Sequence, residues 1–315
     1  MCTGMRFCDA KGSMYFGRNL DWTFDYGERV LAVPRGFEPA SPFGATGRVE
    51  HALIGMGLIE GGQPMLFDAG NDAGLAVAGL NFSGYAAYEP APLDGRVNVA
   101  AWEFPLWACA GFATVDEVEA ALERVAVVDR SIDPRYPSSP LHWIIGDAKR
   151  SIVVECTAAG MQVFDDHVDV LANHPGFAWH AENLRNYLNV SNAWGGSGPF
   201  GVELAPFGAG AAQRGLPGDY SSPSRFVRAA YVNASYPVKD GEAANVSRMF
   251  HSLFQVAMVE GSALARDGMT EKTLYTSCYS AATHTYYYNT YDDVALRSYC
   301  LDDCGAAGDA VIALP

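Results

Sequence analysis

The 315 residues carry 21 Lys and Arg against 36 Asp and Glu, a formal net charge of −15 at pH 7, which repels a phosphate backbone and excludes nucleic acid as a partner. Apolar residues make up 49% and charged residues 18%, the balance of a chain that buries a core rather than one that stays disordered. No run of 18 apolar residues occurs, and the opening MCTGMRFCDA lacks a charged stretch followed by an apolar one, so the sequence predicts a cytoplasmic protein with no stable membrane association.

MRFCDA, the turn KGS and MYFGRNLDW read as a first hairpin. A second is formed by PMLFDAG and GLAVAGLNF around Asn71, Asp72, Ala73 and Gly74, where Asn, Asp and Gly supply the backbone angles of a tight turn. The period then changes, because ATVDEVEAALERVAVV sets Val115, Val118, Leu122 and Val125 at helical spacing behind a Thr114/Glu117 capping box. Strand signals return in LHWIIGD and in SIVVECTAAGMQVF. Residues 194–218, rich in Gly and Pro, predict a long loop. Pro223, suited to a first helical turn, opens a helix through SRFVRAAYVNA, and VSRMFHSLFQVAMV predicts another with Met249, Leu253, Val256 and Ala257 on one face. The closing LYTSCYSAATHTYYYNTY and VALRSYCL are dense in Tyr, Thr and Val and predict strands. Strands and helices come in runs rather than in strict alternation, which predicts an α+β class with antiparallel sheets covered by segregated helices, in a single domain over residues 1–315.

Standard catalytic signatures are missing: there is no Walker loop, H-E-x-x-H or G-x-S-x-G. His142, His167, His174, His180 and His251 have no second His at ligand spacing and read as surface or packed imidazoles. Seven cysteines in a long chain argue against a disulfide framework, and Cys300 and Cys304 have no second ligand pair that would make a metal site.

Cys2 stands apart. Removal of Met1 places a thiol and a free α-amine on one residue, and an α-amine, with a usual pKa of about 7.7 to 8.0, is neutral often enough near pH 7 to take a thiol proton. The first hairpin returns Arg18 and Asp21 towards Cys2, where a guanidinium favours a thiolate and a carboxylate can accept a hydrogen bond from the amine. Taken alone, position 2 is more often simply a small residue that lets Met1 be trimmed, and an Arg and an Asp in a turn are more often a surface ion pair.

At these residues the sequence resembles the choloylglycine hydrolase family, which comprises bile salt hydrolases and penicillin V acylases among the N-terminal nucleophile hydrolases. The resemblance runs through MCTGMRF, GRNLDW, AGLNFSGYAAY, LHWIIGD, VLANHP and GLPGDYSSPSRFVRAAY. It implies an αββα sandwich, two stacked antiparallel sheets between helical layers. It also implies that Cys2 is the nucleophile, with Arg18 and Asp21 as its partners. Asn81, through its backbone N–H, and Asn173, through its side chain, would surround the oxyanion. Arg225 would complete the set on the S-R-F pattern, with Arg228, three residues on along the same helix face, as the alternative. Asp219 reads as a loop or helix-cap residue.

The implied reaction is hydrolysis of the amide of glycine- or taurine-conjugated bile salts through a thioester, with no metal or organic cofactor, in a homotetramer. Asn81, where penicillin V acylases often carry Tyr, favours bile salts; the alternatives are penicillin V acylase activity and a non-catalytic bile-acid-binding module. Leu20, Phe24, Tyr26, Met65, Phe67, Ile132 and Leu141 fall in segments that line the family's pocket, where burial of a steroid is worth about 25 cal/mol per Å². Each could equally be core.

Overall fold

The computed structural model describes residues 1–196, 198–304 and 306–315. In chain order, β1 (Cys2–Cys8), β2 (Met14–Trp22), β3 (Arg29–Val33), β4 (Leu53–Glu60), β5 (Gln63–Asn71), β6 (Ala76–Asn81) and β7 (Val97–Ala100) precede the helices α1 (Phe104–Gly111) and α2 (Val115–Leu122). Then come β8 (Val125–Val128), β9 (Leu141–Gly146), β10 (Ser151–Thr157), β11 (Gly160–Asp165), β12 (Val170–Leu171) and α3 (Phe177–Asn183). Helices α4 (Ser222–Ser235) and α5 (Glu242–Phe254) lead to β13 (Lys272–Ser280), β14 (Thr285–Thr290), β15 (Arg297–Cys300) and β16 (Ile312–Ala313).

Local chemistry explains the expected turns. Asp9 Oδ1 accepts from the N–H groups of Lys11 (2.8 Å) and Ser13 (2.9 Å), which closes the β1–β2 hairpin. Asn71 Oδ1 accepts from Ala73 (3.1 Å) and Leu75 (2.9 Å), and Gly74 supplies the positive φ of +91° between β5 and β6. The Thr114/Glu117 capping box at the start of α2 forms in both directions.

A six-stranded sheet has the order β12-β1-β2-β13-β14-β15 and an eight-stranded sheet the order β11-β10-β9-β6-β5-β4-β3-β16. Neighbours within both pair antiparallel, as the β1–β2, β2–β13 and β6–β9 registers illustrate. The larger sheet is buried on both faces: in β6, Ala76, Ala78 and Leu80 point to the smaller sheet, while Val77, with Leu75 just before the strand, points to a second core shared with α1 and α2. Phe226 of α4 and Met249 of α5 extend the first core across the far side of the smaller sheet. The layers are therefore helix, sheet, sheet, helix, the αββα sandwich expected from the resemblance. Close approach of the sheets requires Gly70, where a Cβ would lie 2.2 Å from the Tyr279 ring. No helix among the described residues is long and apolar enough to cross a membrane.

Three local expectations need correction. Val125 is not helical: α2 stops at Leu122, and Val125–Val128, a run dominated by β-branched residues, pairs in parallel with β7. Helix α5 begins earlier and ends at Phe254, so Val256 and Ala257 lie beyond it. Helix α1 carries no polar stripe to mark its period, since seven of its eight residues are buried, and the sequence reading passes over it.

Candidate active site

The β1–β2 register sets Cys2 opposite Leu20 and Gly4 opposite Arg18. On the other side of β2, β13 sets Ser277 opposite Arg18 and Thr273 opposite Asp21, next to a register shift between Thr273 and Tyr275. On the outer side of β1, β12 pairs Leu171 with Gly4 and leads directly to Asn173. Helix α4 delivers Arg225 from above the same edge. Four of the six expected site residues thus reach one point from β1, β2, the end of β12 and α4, with Arg18 and Asn81 on the wall beside them.

Asn173 is the hub. Its Oδ1 accepts from Cys2 N (2.7 Å) and from Arg225 Nη2 (2.6 Å), and its Nδ2 donates to Asn81 O (2.7 Å). One amide hydrogen of Nδ2 remains free for a further acceptor. The main chain of Asn173 is held as firmly: its N–H donates to Ser222 Oγ (2.9 Å), and its carbonyl lies 2.9 Å from His180 Nε2. The preceding carbonyl, of Ala172, lies 2.9 Å from Nε2 of His142, whose Nδ1 faces Glu155 Oε1 at 3.0 Å.

Arg225 is fully buried; its Nη1 donates to Thr3 Oγ1 (2.6 Å) and to the carbonyl of Cys2, and it stands 3.8 Å from Asp21 Oδ2. Burial lowers the guanidinium from its ordinary value, and Asp21, Cys2 and Glu271 oppose the shift. Arg228 points elsewhere, to the carbonyls of Pro217 (3.2 Å) and Asp219 (2.9 Å), so of the two it is Arg225 that reaches Cys2 and Asn173. Asp219 caps the approach to α4, accepting from Ser221 N (2.9 Å) and Ser224 Oγ (2.7 Å), and these hydrogen bonds lower its carboxyl to about 2.

Arg18, also fully buried, donates from Nη1 to the carbonyls of Gly79 (2.7 Å) and Phe67 (3.1 Å), whereas its Nη2 has no hydrogen-bond partner among the described residues. Burial pulls this guanidinium down, but Cys2, Tyr275 and Asp68 outweigh it and raise the group. The Asp21 carboxylate takes Thr273 Oγ1 at 2.6 Å on one oxygen. Its other oxygen faces Arg225 and is otherwise unpartnered. Met1 lengthens the β1–β2 ladder: Asp21 N donates to Met1 O at 2.7 Å, and the terminal amine reaches Asp21 O and Glu271 Oε2. With Met1 in place the acceptor for the Cys2 N–H is Asn173 Oδ1.

Cys2, Arg18 and Asn81 open into a cavity of about 470 Å³ lined by Leu20, Phe24, Tyr26, Met65, Phe67 and Leu141, all expected there. Trp22, Phe24, Tyr26 and Phe67 form a chain of edge-on aromatic contacts along one wall, with centroids 4.7–6.2 Å apart. Ile132 is not among the lining residues. A turn bridged between Asp133 and Tyr136 brings Arg135 and Tyr136 to the rim instead, with Arg135 tied to Glu60 (2.5 Å) and Asp133 (2.7 Å).

The family model described as linear amide C–N hydrolases, choloylglycine hydrolase family, matches residues 2–306. The chain belongs to this family. It is 54% identical to the bile salt hydrolase/transferase of Bifidobacterium longum subsp. longum over 96% of each chain, and 44% identical to the conjugated bile acid hydrolase of Lactobacillus gasseri over 99% of each. A crystal structure of a variant of the conjugated bile acid hydrolase from Clostridium perfringens matches with a TM-score of 0.92 at 32% identity, covering 99% of this chain and 96% of that one. Residues that sequence reasoning missed in this choloylglycine hydrolase family member are those that hold the site residues: Thr3, Ser222, Thr273, and His142 and His180, which had read as ordinary imidazoles. Their only signal was position, beside NHP or across a strand pair, and that becomes visible once registers are known.

His180 carries a pH signature. Burial lowers its imidazole from the usual 6.5 to about 4, with the Asn173 carbonyl opposing. The unfolded chain then binds the extra proton between those values, so the contribution of a neutral His180 to stability is complete above pH 6.5 and is lost as pH falls to 4. The size is about 3 kcal/mol. His180→Gln should flatten the dependence of urea-unfolding stability on pH between 6.5 and 4; an unchanged slope would show that another group carries it.

Proposed function

We propose that the protein hydrolyses the amide joining a cholic-type acid to glycine or taurine, with Cys2 as nucleophile after removal of Met1. The observation that carries this reading is the position of Cys2: its nitrogen lies on Asn173, its carbonyl on Arg225, and its side chain at the foot of an apolar cavity beside Arg18. In the first step, the α-amine takes the thiol proton and sulfur attacks the amide carbonyl. The oxyanion receives the free N–H of Asn173 Nδ2 and the backbone N–H of Asn81, and collapse returns the proton to the departing amine. Water, deprotonated by the same amine, then releases the acid from the thioester. An amine in place of water would yield a new conjugate, in keeping with the hydrolase/transferase name of the Bifidobacterium relative.

The role proposed for Arg18 is to stabilise charge on sulfur, and for Asp21 to fix Arg225 and, once Met1 has left, to order the amine. The aromatic and aliphatic lining suits a steroid body, whose burial supplies most of the binding on this reading. We take residues 1–315 as one domain and place the enzyme in the bacterial cytoplasm, working without a cofactor. Self-association, for which the family resemblance implies a homotetramer, is supported by Leu188, Trp194, Phe200, Val202 and Phe207, large apolar side chains left exposed on one excursion of the chain.

The test compares turnover of taurocholate, glycocholate and penicillin V, with the intact mass of the purified protein measured alongside. The expected result is a mass lacking Met1 and hydrolysis of at least one bile salt well above that of penicillin V. Preference for penicillin V would replace the substrate assignment. Full activity with Met1 retained would remove the amine from the mechanism.

A further inference from the structure

Asp68 lies in the middle of β5, 2% exposed, with its carboxylate in the space between the sheets. Three hydroxyls from the opposite sheet converge on it: Tyr275 on Oδ1 (2.5 Å), and Ser277 (3.0 Å) and Tyr286 (2.7 Å) on Oδ2. All three donate to Asp68, and Ser277 also lies within hydrogen-bond reach of the Tyr286 oxygen. Burial raises this carboxyl, while Arg18 and the three hydroxyl donors oppose the shift and favour the anion.

The same residues surround Arg18. Ser277 is its partner in the β2–β13 ladder, and Arg18 Cζ lies 6.0 Å from the centre of the Tyr275 ring. Its Nη1 donates to the carbonyl of Phe67, the residue before Asp68. Arg18 is thus a buried cation between two candidate anions, the Cys2 sulfur on the cavity side and Asp68 on the inter-sheet side.

We propose that Asp68 is a positioning residue for the amide hydrolase reaction, a buried counter-charge that fixes Arg18 through Tyr275 and Ser277 and offsets part of its field at the Cys2 sulfur. The inference rests on Cys2 as the nucleophile. Two anions share one guanidinium, so each weakens the other's hold on it. The raised state of Arg18, to which both Cys2 and Asp68 contribute against burial, agrees with this sharing. With Asp68 neutral, Arg18 acts on sulfur alone, and the thiolate forms at lower pH.

The experiment measures iodoacetamide alkylation of Cys2, followed by peptide mass, at pH 6 and pH 9 in the unsubstituted enzyme and in Asp68→Asn. The expected result is a pH 6 rate at least about threefold higher in the variant, with the two rates converging at pH 9, where thiols are largely ionised without help. A role confined to tying the sheets together would lower the melting temperature and leave the ratio of the two rates unchanged, which would overturn the inference. If Asp68→Asn does not fold, Tyr286→Phe, which removes one donor and makes the anion harder to sustain, should raise the same ratio by a smaller factor; no change would again overturn it. No alkylation of Cys2 in the unsubstituted enzyme would overturn the nucleophile assignment and this inference together, whereas alkylation with an unchanged ratio overturns this inference alone.

Discussion

Cys2→Ser should lose turnover by a factor on the order of 10³ or more while the fold and the trimming of Met1 are retained. Serine is small enough to leave the β1 edge and its contacts with Asn173 and Arg225 undisturbed, so the loss isolates the sulfur. A hydroxyl holds its proton too tightly for an amine near neutrality to remove it. The other cysteines offer no substitute. Burial pushes the thiols of Cys109 and Cys278 far up and that of Cys156 to about 12, and it raises Cys8 and Cys304 as well. None of them lines the cavity beside Arg18. Steady-state kinetics on purified Cys2→Ser decides the matter, and retention of a tenth of the activity would remove Cys2 from the chemistry.

The second large effect separates two arginines three residues apart on α4. Arg225→Ala should cost about 3–5 kcal/mol of stability and on the order of 10²-fold or more in kcat, because it strips Asp21 of its cation and Asn173 of the donor that orients its side chain. Arg228→Ala removes only hydrogen bonds to two loop carbonyls, and a cost of at most about 1–2 kcal/mol with near-normal kcat is expected. Urea unfolding and turnover of the two variants under the same conditions provide the comparison. Equal losses would show that α4 acts through its packing rather than through the Arg225 guanidinium.

What could be read from the sequence was what depends on neighbours along the chain. The β1–β2 hairpin, the turn at Asn71 and the box at Thr114 are closed by side chains within a few residues of one another, so composition and spacing reveal them. Helix α1 and strand β8 were lost for the opposite reason: both are buried runs without a polar face, and only tertiary packing decides their period. In the site, Cys2, Arg18 and Asp21 share one hairpin and could be grouped by local reasoning, while Asn81, Asn173 and Arg225 were reached through the family pattern alone. Asp68 was invisible. It sits in PMLFDAG as one polar residue in an apolar run, and its hydroxyl partners lie more than 200 positions away, with separations of 207 to Tyr275 and 218 to Tyr286. Ile132 failed for lack of a register, since nothing in its segment says which side of the Asp133–Tyr136 turn faces the cavity.

The position of β2 in its sheet has a temporal consequence. Its second neighbour, β13, supplies Thr273 to Asp21 across 252 positions of sequence, so the earliest residues to leave the ribosome wait for some of the last. Until then the thiol-bearing hairpin has an open edge, no ordered carboxylate and no counter-ion framework, and the site around it is incomplete. Closure over such a span is slow, and hydrolytic turnover therefore marks completion of the entire sandwich rather than of its first segment.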